Sequence, residues 1–132
     1  MISSAVYLSY RNAAAAIEWL EAVGFDVLQR QQAPDGTVAH CELRWQDTVV
    51  MLGTDTTQPP PPLVGVSTGA GVYLVTPDVD AAYARAIAAG ATEVFPPGDT
   101  EWGGRRARVL DPGGREWSFG SYRPGELWLP DD

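Results

Sequence analysis

Apolar and polar residues alternate over residues 5–10, with Val6 and Leu8 on one face, the period-two pattern of a strand. Asn12 then offers a side-chain oxygen at a helix start, and Ala13–Val23 is rich in helix formers, with Ile17 and Leu20 three apart. Gly24 predicts the stop. Phe25 to Gln32 reads as a second strand, and Pro34-Asp35-Gly36 as a turn. Thr37 to Trp45 and Thr48 to Leu52 read as a hairpin closed by Gln46-Asp47, which makes the first half βαβββ.

The second half repeats this plan. Val6-Tyr7-Leu8 returns as Val72-Tyr73-Leu74, an offset of 66 residues, half the chain. Gly71 to Thr76 is expected as a strand, and Val79 to Ala89 as a helix capped by Asp78 and stopped by Gly90. Thr92 to Phe95 is expected as a strand ending in a Pro96-Pro97-Gly98 turn. Arg105 to Leu110 and Glu116 to Tyr122 are expected to pair around Asp111-Pro112-Gly113-Gly114. Half-modules of about 1–56 and 70–123 are joined by a stiff Pro-rich connection over about 57–69, with 1–132 read as one domain. Trp128 in the tail is expected to pack on a surface or a partner chain.

Composition narrows the function classes. A net charge of −8 with nine basic residues and no basic stripe argues against nucleic acid and favours a cationic ligand, or solubility alone. No apolar run approaches the about 20 residues of a membrane span, and the N-terminus lacks a signal-peptide pattern. One cysteine, Cys41, leaves no internal disulfide and fits a cytoplasmic location.

Three stretches carry a family resemblance. They are Tyr10-Arg11-Asn12-Ala13-Ala14-Ala15-Ala16-Ile17-Glu18-Trp19-Leu20 with Gly24-Phe25; Thr76-Pro77-Asp78-Val79-Asp80-Ala81-Ala82 with Gly90-Ala91; and Asp111-Pro112-Gly113-Gly114 before an aromatic strand. In order and spacing the chain resembles the vicinal oxygen chelate superfamily of glyoxalase I, bleomycin-resistance proteins and extradiol dioxygenases. The resemblance implies an α+β fold of two tandem βαβββ modules, a curved eight-stranded mixed sheet around a cleft with helices outside, and commonly a homodimer.

Enzymes of that superfamily hold a divalent metal with one side chain from the first and one from the last strand of each half. Those positions fall here on Ala5, Met51, Gly71 and Ser118. Alanine and glycine offer no donor, a thioether suits soft ions, and a neutral hydroxyl binds poorly. A one-residue slip to Ser4 or Val6, Val50 or Leu52, Ala70 or Val72, Trp117 or Phe119 does not restore the set. The expectation is therefore no metal, no cofactor and no assigned catalytic residue.

Strand alternation assigns the remaining face. Cys41, Leu43 and Trp45 suit the core, leaving His40, Glu42 and Arg44 for the cleft; Met51 is expected opposite Glu42. Ala107, Val109, Trp117 and Phe119 suit the core, leaving Arg106, Arg108, Glu116 and Ser118 for the cleft. Tyr7 and Tyr73 are expected to point inward, and Trp102, in a Gly-flanked loop, to close over a flat ligand. His40 and Glu42 are not expected to act as a dyad, since i and i+2 Cα atoms on a strand lie about 7 Å apart. Glu42 is expected to face Arg44 or Arg108, and Glu116 to face Arg106, if these charges pair internally.

The leading expectation is a metal-independent, homodimeric protein that sequesters an antibiotic or another small aromatic or cationic molecule. The alternatives are a lyase, isomerase or dioxygenase with a metal on His40, Glu42 and Glu116, and a non-catalytic scaffold whose cleft is collapsed.

Overall fold

The computed structural model describes residues 5–55, 70–101 and 103–124. The Pro-rich connection, Trp102 and the tail with Trp128 lie outside the described residues. The first half comprises β1 (Val6–Tyr10), α1 (Ala13–Val23), β2 (Asp26–Gln32), β3 (Val38–Trp45) and β4 (Thr48–Thr54). The second comprises β5 (Gly71–Val75), α2 (Val79–Ala88), β6 (Thr92–Asp99), β7 (Arg105–Leu110) and β8 (Glu116–Gly120). The βαβββ plan is thus present twice.

Both helices begin as their sequences require. The Asn12 side chain accepts the Ala15 amide at 3.0 Å, and the Asp78 side chain accepts the Ala81 amide at 3.1 Å, each satisfying an amide that the first turn leaves without a helical partner. Gly24 ends α1 at φ +133°, a conformation that glycine adopts without a Cβ penalty.

The strands form two four-stranded sheets, ordered β1-β4-β3-β2 and β5-β8-β7-β6. The β1/β4 and β5/β8 pairs are parallel and the others antiparallel. One face of each sheet packs on the helices in a continuous core. Cys41, Leu43, Val50 and Leu52 supply it from the first sheet, and Ala107, Val109, Trp117 and Phe119 from the second. Trp117 stands 5.8 Å, centroid to centroid, from both Trp19 and Phe25, so aromatic contacts cross between the halves.

Polar bonds lock that junction. Trp19 Nε1 donates to the Ala86 carbonyl at 3.1 Å, and Arg85 Nε donates to the Val23 carbonyl at 3.0 Å, satisfying one of the carbonyls left over at the end of α1. Asp111, fully buried, accepts from Tyr10 Oη at 2.6 Å, Trp117 Nε1 at 2.8 Å, and the Gly113 and Arg115 amides at 2.9 Å each. Gly113 is required there, because a Cβ would stand 2.4 Å from the Tyr10 ring.

One element departs from the sequence reading. The strand expected to end at Phe95 runs on through Pro96 and Pro97 to Asp99. Two register shifts, between Glu93 and Phe95 and between Phe95 and Gly98, absorb the extra residues. Proline is tolerated because β6 is an edge strand, where amides are not all needed for a ladder. No described helix is long and apolar enough to cross a membrane.

Candidate functional site

The sheet faces turned away from the helices carry two matching rows of side chains. In the first sheet Tyr7 pairs with Met51, Met51 with Glu42, and Glu42 with Gln29. In the second Tyr73 pairs with Ser118, Ser118 with Arg108, and Arg108 with Phe95. Each member follows its counterpart by 66 or 67 residues, so the duplication holds strand by strand. The rows differ in charge: Glu42 stands in one where Arg108 stands in the other.

On the first row, His40 Nε2 donates to Glu42 Oε2 at 2.8 Å. This corrects the expectation that the two could not act together. Their Cα spacing does not limit them, because they share one face and their side chains are long enough to close the gap. The His40 bond, with a second from Gln29, holds the Glu42 carboxyl below its usual range. Glu42 therefore pairs with His40 rather than with an arginine. Arg44 is exposed and its Nε donates to the Gln46 carbonyl at 2.8 Å, in the hairpin turn. Tyr7 is exposed and Met51 half-buried.

On the second row, Arg108 Nε donates to Ser118 Oγ at 2.8 Å. The guanidinium carbons of Arg106 and Arg108 each lie 5.0 Å from the Phe95 ring centroid, within cation–π range. Tyr73 Oη donates to the Tyr122 carbonyl at 3.0 Å, and burial pushes its phenol up. Gly120 makes room for this ring: a Cβ there would stand 2.0 Å from Tyr73 Oη.

Two adjoining depressions open on this row. One, of about 90 Å³, is lined chiefly by Tyr73, Phe95, Arg106, Arg108, Ser118 and Tyr122, with Thr100, Gly104 and Arg105 at its margin. The other, of about 290 Å³, shares Tyr73, Arg108 and Ser118 with it and adds Glu116 and Gly71. Arg105 is committed elsewhere: it bonds Asp80 at 2.7 and 2.8 Å and Asp99 at 3.0 Å.

The expected residues are therefore not gathered into one groove by the described part of one chain. Tyr7, His40, Glu42, Arg44 and Met51 belong to the first sheet; Tyr73, Arg106, Arg108, Glu116 and Ser118 belong to the second. Both depressions are lined by second-half residues alone. Among the described residues no three His, Cys, Asp or Glu side chains cluster closely enough to hold a metal, so Glu116 does not join His40 and Glu42. Trp102 lies outside the described residues.

Phe95, Arg105, Thr100 and Tyr122 were missed as lining residues. The bulges in β6 break the period-two rule on which the face assignment rests, so alternation carried no signal for Phe95.

The four metal corners do not fit a hard cation. Ala5 has no donor, and a side chain on Gly71 would place its Cβ 2.8 Å from the Glu116 carbonyl oxygen. Ser118 accepts from a guanidinium, which puts a fixed positive charge beside that corner. Met51 lies between Tyr7 and Glu42 and offers only sulfur.

Comparison with known proteins agrees with this architecture. A family model described as the Glyoxalase/Bleomycin resistance protein/Dioxygenase superfamily matches residues 4–119. An uncharacterized protein of Mycobacterium bovis is 38% identical over 122 residues, covering 86% of this chain and 79% of its own. The crystal structure of TioX from Micromonospora sp. ML1 is similar at TM-score 0.65 and 32% identity, covering 89% of this chain and 98% of TioX. A bleomycin-binding protein complexed with bleomycin shares the fold at TM-score 0.65 and 17% identity, covering 93% of this chain and 100% of that one.

Proposed function

Because the chain belongs to the glyoxalase/bleomycin resistance protein/dioxygenase superfamily, we propose that it is a metal-independent protein that binds and sequesters a small aromatic molecule, such as an antibiotic. The observation that carries the reading is the state of the metal corners. Ala5, Met51, Gly71 and Ser118 offer no coherent donor set, and Arg108 is bonded to one of them. The same face keeps two open depressions, one of them lined by Tyr73, Phe95 and Tyr122, which a collapsed scaffold would not need. The fold neighbour complexed with bleomycin supports the idea that this architecture accommodates a small molecule.

The reading includes a homodimer. A depression of about 290 Å³ is at the lower edge of the size of small-molecule sites, about 300–1,000 Å³. The two outer rows of one chain lie on separate sheets, and both depressions open on the second. A second copy setting its first sheet against the second sheet of its partner would enclose a deeper cleft. The reading also includes a cytoplasmic location, which the free, buried Cys41 supports.

Light scattering and elemental analysis of protein purified without chelator test this together with calorimetric titration of planar aromatic compounds. The expected result is a dimer with no stoichiometric metal that binds at least one such compound saturably. A stoichiometric metal lost on His40→Ala would replace this reading with a metalloenzyme.

A further inference from the structure

We infer that the second-sheet pocket selects planar aromatic molecules that carry an anionic group, a carboxylate or a phenolate, and that Arg106 and Arg108 receive that group. The inference rests on the small-molecule-binding reading and specifies its ligand. It runs against the bulk charge. The chain carries −8, yet Arg106 and Arg108 both line this one small depression; Asp80 and Asp99 offset Arg105 at its margin, and Glu116 lines the adjoining depression. Charges a few ångströms from a ligand outweigh remote ones, because exposed charges beyond about 8–10 Å are screened at physiological ionic strength.

The geometry is suited to an acid. Arg105 holds two aspartates at the pocket margin, and Arg106 and Arg108 are the other cations lining the pocket. Both guanidiniums lie against Phe95, and Arg108 is further fixed by Ser118. That support reduces the side-chain freedom still to be lost when an anion binds. The Arg108 bond to Ser118 uses one of the five N–H donors a guanidinium carries. Phe95, Tyr73 and Tyr122 supply ring surfaces around the cations. A volume of about 90 Å³ suits one ring end with its acidic group, and the adjoining depression leaves space for the rest of a larger ligand.

The test is calorimetric titration of the full chain with naphthoate, naphthalenemethanol and naphthylmethylammonium, which share a ring system and differ in charge. Naphthoate is expected to bind about tenfold or more tightly than the alcohol, as charge-assisted bonds to arginine would give, and the ammonium more weakly than either. Arg108→Gln and Arg106→Gln should each reduce the preference for naphthoate, while Arg11→Gln, at an exposed turn residue before α1, should leave it unchanged. Arg106 is exposed, so its variant decides the matter if Arg108→Gln does not fold. Equal binding of all three compounds, or tighter binding of the ammonium, overturns the anion preference and leaves the binding reading standing. Failure of all three to bind overturns both.

Discussion

Replacing Asp111 by alanine should remove a large part of the stability of this protein. The carboxyl is fully buried and accepts four hydrogen bonds. The Gly113 and Arg115 amides belong to exposed turn residues and can turn to water, so their loss costs little. The Tyr10 hydroxyl and Trp117 indole N–H belong to buried side chains and would be left without their acceptor. A buried donor left unsatisfied costs about 1–3 kcal/mol, so the pair gives about 2–6 kcal/mol. Total stability is typically about 5–15 kcal/mol. Tyr10→Phe removes only one partner and should cost about 1.5–3 kcal/mol, the range for bonds to charged groups. Urea unfolding followed by tryptophan fluorescence measures both. A loss below about 1 kcal/mol for Asp111→Ala would refute this account of how Asp111 joins the halves. The pH dependence gives a second check. Burial raises the Asp111 carboxyl above its ordinary value of 3.8, against the opposing effect of its hydrogen bonds. The folded state therefore holds the proton more tightly than the unfolded one. The associated stability is fully present below pH 3.8 and is lost as pH rises through the folded value. The advantage of the wild type over Asp111→Asn should accordingly shrink from acid toward neutral pH, and an advantage that grows would contradict the assigned direction.

Three further outcomes follow from the same geometry. Gly120→Ala should force Tyr73 off the Tyr122 carbonyl, because the new Cβ would overlap its hydroxyl; the cost is about 1–3 kcal/mol in a melting experiment, and a crystal structure should show the ring displaced. His40→Ala should raise the Glu42 carboxyl toward 4.5, as read by carboxyl-carbon NMR; since the wild-type carboxyl is depressed, the stability linked to it is present above 4.5 and lost as pH falls through the folded value, so the variant and wild type should converge in acid. Tyr83, whose hydroxyl donates to Glu93, has its phenol pushed up to about 12, and Glu93→Gln should bring its ultraviolet titration midpoint back toward 10.

Much of the fold is legible where one residue type carries one local consequence. Asn12, Ala13–Val23 and Gly24 specify a cap, a helix and a stop without reference to anything distant, and α1 forms over those residues. The inner strand faces are legible for a similar reason: with no bulge in β3/β4 or β7/β8, alternation carries Cys41, Leu43, Ala107 and Val109 inward. Legibility fails where the answer depends on a neighbour. Pro96-Pro97 reads as a break until its strand is known to be an edge. The Tyr10–Asp111 bond joins residues 101 apart in sequence, which no local pattern encodes. His40 and Glu42 were correctly placed on one face, but a Cα spacing does not say where two side-chain ends meet.

Duplication adds a further constraint, and the two sheet faces have responded to it differently. On the inner face, counterparts remain apolar: Cys41 and Ala107, Leu43 and Val109, Val50 and Trp117, Leu52 and Phe119. Close packing penalises any polar or badly sized exchange there. On the outer face the counterparts have separated in chemistry: His40 and Arg106, Glu42 and Arg108, Gln29 and Phe95, Met51 and Ser118. Tyr7 and Tyr73 are the exception, identical on a face where burial does not require it, at 59% and 36% exposure. Each reaches toward a glycine of the last strand in its half: a Cβ on Gly53 would stand 3.4 Å from Tyr7 Oη, and one on Gly120 would overlap Tyr73 Oη. The retained unit is thus a tyrosine leaning toward a glycine, a two-residue arrangement that neither member specifies alone. Beside this pair the neighbouring residues differ between the sheets, His40 and Glu42 on the first and Arg106 and Arg108 on the second, and they determine the charge each face presents.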